Sequence, residues 1–385
     1  MDDTYDFVMA GGGAAGLSLA YHLRRNGFVD ERVLIIDKDD KRSNDRTWCF
    51  WSADETEFDQ IAARRWSKLA VIAENTQVLD LAPYMYTMVR GVDFYSYVKD
   101  FLARDKNTVF LTAVVDEIRD GDAVAEVVAD GRTYRARWVF DSFFVPRNFS
   151  VDTRKYHFLK QHFTGWFIET ESPEFDPETV TWFDFRTPQN NEMRFMYVLP
   201  ESPTRALVEF TLFSADLLSD DQYENALKAY VHSVLNIDRY VIHESEHGVI
   251  PMTEQPFARR GGRRIMYTGT KAGRVKASTG FAFNRIQKDS LAIVASLKAY
   301  GHPFRVKSVP HRYRVFDTIL LQIMYRRGGE SKDVFTRLFR RNPIHRLFRF
   351  LDEESSIRDD LAIMASVRWS LFIGAWFRTR ILRKI

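Results

Sequence analysis

The stretch YDFVMAGGGAAGLSLAYHLRRNG, residues 5–27, constrains this chain more than any other. YDFVMA reads as a short apolar strand. Gly11, Gly13 and Gly16 then form G-x-G-x-x-G. LSLAYHLRRNG comes next with helical periodicity, placing Leu17, Ala20, Tyr21 and Arg24 on one stripe, and Gly27 ends it. A second strand, RVLIID, finishes at Asp37, 21 residues after Gly16. The chemistry needs this order. Glycines allow a tight turn and close backbone approach, a pyrophosphate sits on the helix N-terminus, and the acid bonds a ribose hydroxyl. A bare glycine-rich turn is the weaker reading, because both strands and the acid fall where a dinucleotide needs them.

Beyond Asp37 the chain departs from a plain NAD dehydrogenase, which would continue with further β-α-β units. SNDRTWCFW comes next and reads as an aromatic loop. A third nucleotide-domain strand arrives only at RARWVFDS, residues 135–142. Another glycine-rich segment, IMYTGTKAGRVKASTGFAF, returns at 265–283. A nucleotide fold interrupted by a long insertion is the layout of two-domain FAD flavoproteins, an analogy at the level of fold.

Between these pieces, HFTGWFIET, VTWFDFR, MRFMYVLP and RALVEFTLF read as antiparallel strands joined by turn-rich connections. HGVIPMTE, residues 247–254, then leads back into the nucleotide domain, and RDDLAIMASVRWSLFIGAWFRTRILRKI, residues 358–385, reads as helical. The sheet is rich in aromatic residues, Trp166 and Phe185 among them, which points to a large apolar cavity as well as to core packing. In RALVEFTLFS, Leu207, Glu209, Thr211 and Phe213 point one way, and Ala206, Val208, Phe210 and Leu212 the other. A glutamate on so apolar a strand has its charged form disfavoured and tends to keep its proton. The competing reading is a structural ion pair, with Arg194 on the preceding strand as partner.

The fold class expected is therefore α/β plus α+β. It comprises an FAD-binding Rossmann-type domain, an inserted antiparallel-sheet substrate domain, and a helical basic C-terminal region. The boundaries expected are 1–60, 100–148 and 257–300 for the first, 61–99 and 149–256 for the second, and 301–385 for the third. A chain of 385 residues is long enough for two domains. Its single cysteine, Cys49, excludes an intramolecular disulfide and fits a reducing compartment. No metal site is expected, since the histidines lack ligand spacing. The acidic N-terminus does not resemble a signal peptide, and no apolar run reaches transmembrane length. Residues 301–385 carry 18 Lys/Arg against 8 Asp/Glu, a net +10, while the remainder carries 37 against 44, a net −7. A basic tail on a mildly acidic body points to an anionic surface as partner.

Several segments together resemble the flavoprotein lycopene cyclases, in their bacterial β-cyclase branch. They are the nucleotide glycines with Asp37, NDRTWCFW at 44–51, MRFMYVLPESPTRALVEFTLFS at 193–214, EHGVIPM at 246–252, TGTKAGRVKASTGFAF at 268–283 and FLDEESSIRDDLAIM at 350–364. The resemblance runs nearly end to end. It implies a cyclisation without net redox change, carried out with reduced FAD: an acid protonates the terminal double bond of lycopene, a six-membered ring closes, and a proton leaves to give a β-ionone end, yielding γ- and β-carotene. Glu209 is then the catalytic acid. The family commonly has a second acid before the threonine, where this chain has Phe210. On a strand that residue faces away from Glu209, so its loss removes no same-face partner.

The resemblance also implies cofactor contacts at Gly11, Gly13, Ala14, Ala15, Gly16 and Asp37, at Arg46, Thr47 and Trp48, and at Gly269, Gly273, Ser278, Thr279 and Gly280. Thr270 stands where many flavoproteins place an aspartate near the ribityl chain. Trp51, Trp166, Phe185, Thr211 and Glu246 are the candidates for the substrate cavity. Arg46 reaches phosphates or anchors its loop; Trp48 and Trp51 wall the cavity or pack the core; Glu246 bonds backbone or assists acid–base chemistry. Lycopene and related carotenoids dissolve in bilayers, so the basic aromatic helices RLFRRNPIHRLFRF and WSLFIGAWFRTRILRKI are expected to meet a membrane surface, at the cytoplasmic side of the inner membrane. Nucleic acid is not an expected partner. The alternatives are an isoprenoid monooxygenase or desaturase on the same fold, and a polyprenyl-binding escort that would not need Glu209.

Overall fold

The computed structural model describes residues 4–379. Strand Thr4–Ala10 lies at the centre of a seven-stranded sheet, parallel to Val33–Asp37 on one side and to Arg132–Asp141 on the other. Thr108–Thr112 extends the sheet beyond Val33–Asp37. Ala125–Ala129 and Val115–Arg119 add an antiparallel edge, and Ile265–Tyr267 joins Arg132–Asp141 in parallel. Helices Ala14–Arg25, Gly91–Ala103 and Phe283–Tyr300 supply the partners of one core around Phe7, Leu19, Tyr21, Phe94 and Phe283. Gly16 is required here by contact: a Cβ at this position would lie 1.9 Å from the Gly11 carbonyl oxygen, so a side chain would push the helix off the strand.

The second sheet also has seven strands, in the order Tyr240–Met252, Leu159–Thr170, Arg205–Ser214, Met193–Pro200, Thr179–Asp184, Lys68–Ile72 and Thr76–Asp80. All pairs are antiparallel except Thr179–Asp184 with Lys68–Ile72. Both faces are covered, which explains why the glutamate strand is apolar on both sides. Ala206, Val208, Phe210 and Leu212 pack under helix Asp220–Ser233, with Tyr223 and Leu227. Leu207 and Phe213 face the other way, into a core shared with Phe335, Phe339 and Phe348 of the C-terminal helices.

Three segments differ from the sequence reading. The segment read as an aromatic loop holds a strand, Thr47–Ser52, in a three-stranded sheet with Met85–Arg90 and Arg64–Trp66. HGVIPM is not a lead back to the nucleotide domain but the second half of the edge strand Tyr240–Met252. The helix expected across 358–385 is two helices, Ile357–Ser366 and Trp369–Phe377, bent by 110°; residues beyond 379 lie outside the described residues. At the break the Ser366 hydroxyl bonds back to the Ile363 carbonyl (2.7 Å) and accepts from Asn342 Nδ2 (2.8 Å). Such a bond offers the backbone an alternative to continuing the helix. Among the described residues no single helix is long and apolar enough to cross a membrane.

The C-terminal helices are pinned to the glycine-rich segment by buried charge. Lys276 Nζ sits 3.0 Å from Asp317 and 3.3 Å from Glu353, Arg285 also pairs with Glu353, and the Ser278 hydroxyl donates to Asp317 (2.6 Å). Removing one partner of such a cluster leaves an uncompensated buried charge. Lys276→Met is therefore expected to destabilise the fold by about 3–5 kcal/mol, read from urea or thermal unfolding; a change within experimental error would refute this role for the cluster.

Candidate active site

A cavity of about 720 Å³ lies between the two large sheets. Its first compartment is the turn between Thr4–Ala10 and Ala14–Arg25. Gly11, Gly13, Ala14, Ala15 and Asp37 line it. The helix starts at Ala14 with no side-chain cap on its free N–H groups. Asp37 is fixed by its own loop: Oδ2 accepts from the Gly12 amide (2.7 Å) and Oδ1 from the Asp39 amide (2.9 Å). Arg46, Thr47 and Trp48 line the same space, as do Gly269, Thr270, Thr279 and Gly280 from the returning segment. The buried Thr279 Oγ1 and Gln161 Oε1 lack a hydrogen-bond partner in the protein, and both residues line the cavity. Free helix N–H groups, an acid at the end of the second strand and two unsatisfied polar atoms fit a long dinucleotide that continues into the cavity.

Three of the expected cofactor contacts are made differently. Gly16 does not line the cavity and serves helix–strand approach instead. Gly273 is packed against Phe257, and Ser278 is held by Asp317. Arg46 lines the cavity, and its Nε lies 3.4 Å from Asp45, the preceding residue of its own loop. Trp48 likewise lines the cavity and packs edge-on against Phe94 and Tyr95.

The second compartment is walled by the inner face of the second sheet. One row of side chains crosses four adjacent strands. Tyr197 is opposite Glu209, Glu209 is opposite Gly165, and Gly165 is opposite Glu246. Gly165 is what lets this row close up. A Cβ there would lie 2.8 Å from Leu207 Cδ1 and 3.3 Å from Glu209 Cβ. With no side chain between them, Glu209 and Glu246 meet across the central strand and share a hydrogen bond. Thr211 Oγ1 donates to Glu209 Oε1 (2.5 Å), and Thr47 Oγ1 donates to Glu246 Oε2 (2.7 Å). Arg194, the alternative partner considered for Glu209, bonds Glu192 instead.

Burial, and then the charge of Glu246, push the Glu209 carboxyl well above its usual range; the Thr211 hydroxyl works the other way. Burial also raises Glu246, against the Thr47 hydroxyl and the hydrogen bond from Glu209. Both shifts favour a proton held between the two carboxyls, and the directions make Glu209, which the Glu246 hydrogen bond raises, its donor and Glu246 its acceptor. Around the pair stand Tyr86, Trp182, Phe183, Phe195, Phe335 and Phe339. The Tyr86 hydroxyl bonds that of Tyr197 (2.6 Å) and accepts from Trp182 Nε1 (3.1 Å). Cys49 lines the cavity beside them, its thiol pushed up to about 12 by burial, and so un-ionised. The site therefore offers a protonated carboxyl to an apolar guest, inside ring faces that favour positive charge. Among the described residues no cluster of His, Cys, Asp or Glu is placed to hold a metal ion.

Three cavity candidates are corrected. Trp166 is the residue after Gly165, so it points to the opposite face, where it is buried with Val208 and Tyr223 under helix Asp220–Ser233. Phe185 lies behind Phe183, stacked on it at 5.6 Å, and does not reach the cavity. Trp51 is core: its ring stacks on Phe348 at 4.7 Å. Thr211 and Glu246 do line the cavity. Gly165, Gln161, Tyr86, Phe335 and Phe339 belong to its lining or geometry, and sequence reasoning misses them. Pairing the neighbouring strand against Glu209 would expose Gly165; nothing local marks the two phenylalanines, which arrive on a distant helix.

The raised Glu209 carboxyl has a consequence for stability. Its folded pKa lies above its unfolded value, so ionisation penalises the fold. The penalty is absent below the unfolded pKa and complete above the folded one. Glu209→Gln is expected to raise the melting temperature at about pH 8, with a gain that fades toward about pH 4. A loss of stability at both pH values would overturn the assignment of the proton.

Solved structures share this fold at low identity. A geranylgeranyl bacteriochlorophyll reductase-like protein from Thermoplasma acidophilum is 12% identical, with 96% of this chain and 98% of that chain covered and a TM-score of 0.62. The flavin-dependent brominase Bmp2 is 12% identical, covering 98% and 100%, with a TM-score of 0.62. A flavoprotein/dehydrogenase from Cytophaga hutchinsonii is 15% identical, covering 97% and 98%, also at 0.62. The fold is thus the flavoprotein fold of these proteins. No curated protein matches the chain. A family model described as "Lycopene cyclase protein" matches residues 6–381.

Proposed function

We propose that this chain, which belongs to the lycopene cyclase family, is a lycopene β-cyclase that uses FAD and closes the acyclic ends of lycopene into β-ionone rings. The observation that carries the reading is the Glu209–Glu246 pair. The two buried carboxyls are hydrogen-bonded to each other and both pushed toward keeping a proton, in an aromatic cavity that the glycine turn and Asp37 also line.

In this reading the N–H groups at the start of helix Ala14–Arg25 take the pyrophosphate and Asp37 the ribose. Thr279 and Gln161 offer their unsatisfied oxygens to the polar atoms beyond it. Reduced FAD, held by these residues, would supply negative charge that stabilises a developing cation. Glu209 gives its proton to the inner CH carbon of the terminal double bond, leaving a tertiary cation on the dimethyl carbon. The neighbouring double bond closes the six-membered ring, leaving a cation within the ring faces of Trp182, Phe183 and Phe195. A ring proton then leaves to form the new double bond, and the doubly ionised carboxyl pair is the base that recovers it. One proton enters and one leaves, and no electrons are transferred, so the reaction is an isomerisation. Glu246 holds the acidic proton of Glu209 in place, and its charge keeps that proton bound near neutrality. The substrate dissolves in lipid, so the enzyme works as a peripheral protein on the cytoplasmic side of the inner membrane.

Expression in lycopene-accumulating bacteria, with separation of the pigments, tests the activity. Glu209→Gln is expected to lower cyclisation by about 10²–10⁴-fold while flavin absorbance is retained; unchanged pigment profiles would sink the assignment. Catalysis by the pre-reduced enzyme under strict anaerobiosis separates cyclisation from oxygenation or desaturation. Glu246→Gln removes the negative neighbour, so Glu209 ionises more readily. The alkaline limb of the rate profile should move to lower pH, and an unmoved limb would show that the two carboxyls do not share a proton.

A further inference from the structure

A second cavity, of about 260 Å³, lies away from the aromatic one, between helices His311–Arg327 and Trp369–Phe377. Arg326, Arg327, Arg368 and Arg378 line it, with Glu330 the one acid in its lining. Glu330 is shared by two of them, at 3.2 Å from Arg327 and 3.2 Å from Arg368. Asp333, outside the lining, lies 3.6 Å from Arg368 and is already bound by Arg337 (2.9 Å). The acids of the neighbouring turn are also engaged elsewhere: Asp359 with Arg346 and Arg349, Asp360 with Arg312. Arg326 has contacts of its own, but Arg327, Arg368 and Arg378 still set three guanidinium groups against one carboxylate in the lining, and guanidinium groups complement the oxygens of a phosphate.

The helix that forms one wall of this cleft is apolar on its outer face. Leu371 and Ala375 face inward, onto Ile319 and Ile323. Trp369, Ile373, Trp376 and Phe377 recur at helical spacing on the opposite side and are 62%, 56%, 43% and 46% exposed. Tryptophan at the level of an arginine cluster is the arrangement of an element seated at a lipid headgroup boundary. A soluble anion would be served by the arginines alone and would leave four large apolar side chains in water.

We propose that the cleft between helices His311–Arg327 and Trp369–Phe377 binds the phosphate of an anionic phospholipid, while the Trp369–Phe377 face enters the acyl boundary. The proposal rests on the reading that the substrate is held in a membrane, and it names the contact. It makes the C-terminal region a reader of headgroup charge.

Vesicle sedimentation of the full chain tests it, with vesicles of phosphatidylcholine alone and of phosphatidylcholine with about a third phosphatidylglycerol. The wild type is expected to prefer the anionic vesicles at low salt. Arg368→Gln with Arg378→Gln should weaken that binding by about 30-fold, from about 5-fold per arginine, and leave phosphatidylcholine binding unaltered. Arg378→Gln alone, which spares the pairs to Glu330 and Asp333, should cost about 5-fold and keeps the test open if the double variant is unstable. Trp369→Ser with Trp376→Ser should weaken binding to both vesicles. Retained anionic preference in the arginine variants overturns the site. So does equal binding of wild type to both vesicles, or binding of inorganic phosphate with no vesicle association. Cyclisation of detergent-dispersed lycopene, measured in parallel, reports the active-site reading separately: arginine variants should leave it intact, and its absence in wild type would count against the cyclase while leaving the vesicle result standing.

Discussion

Two buried carboxyl groups that meet in a largely apolar cavity favour keeping a proton between them at rest, and much of this structure is arranged around that pair. Glu209 and Glu246 come from strands that do not touch. Leu159–Thr170 runs between them, and Gly165 is the position in that strand where a side chain is missing. A side chain there would crowd Leu207 and the Glu209 side chain at the point where the two carboxyls approach. Thr211 and Thr47 each donate to one of the carboxyls, and the remaining hydrogen bond runs between the acids themselves. Desolvation alone would raise a single glutamate. The second acid adds an accepting oxygen and a charge that resists losing the proton, which is how a weak acid is kept in its donating form near neutral pH.

The cavity must then be closed to water without being closed to a hydrocarbon. Its floor is the inner face of the second sheet and its roof is borrowed from the C-terminal helices, through Phe335 and Phe339. Residues 301–385 hold 18 of the chain's basic residues, and an apolar roof in so charged a region calls for anchorage. The Lys276–Asp317–Glu353–Arg285 cluster supplies it. The same cluster fixes the segment that ends in Thr279 and Gly280, so one set of buried ion pairs holds both the lid of the cavity and a wall of the dinucleotide cradle. A buried ion pair contributes little net stability, but it specifies one arrangement, because every alternative leaves a charge unmatched.

The parts legible in the sequence are those set by local pattern. The glycine turn, the end of the second strand at Asp37 and the two faces of Arg205–Ser214 come from periods of 3.6 and 2 and are found in place. What local pattern misses is register. Trp166 is a cavity candidate on aromatic character alone, yet the neighbouring glycine holds the inward position and a one-residue step reverses the face. The edge strand Tyr240–Met252 is hard to read for a related reason. It is largely exposed and carries charges and a proline, as edge strands do, so its alternation is weak. Glu246 is visible as a residue, but not its partner, since the pair exists only once three strands are aligned.

Phe210 shows why that alignment matters. The resemblance puts a second acid at this place in many relatives, and its absence suggests a weakened site when read along the chain. In the fold Phe210 is on the far face, buried with Tyr223 beneath helix Asp220–Ser233, with the wall of the sheet between it and the cavity. An acid at 210 would have no route to a proton on Glu209. The neighbour that matters electrostatically lies 37 residues further on, at Glu246. Adjacency in sequence separates two groups on a strand, whereas adjacency across a glycine joins them. The proposed chemistry depends on the second kind of neighbour, and the loss of the first leaves it intact.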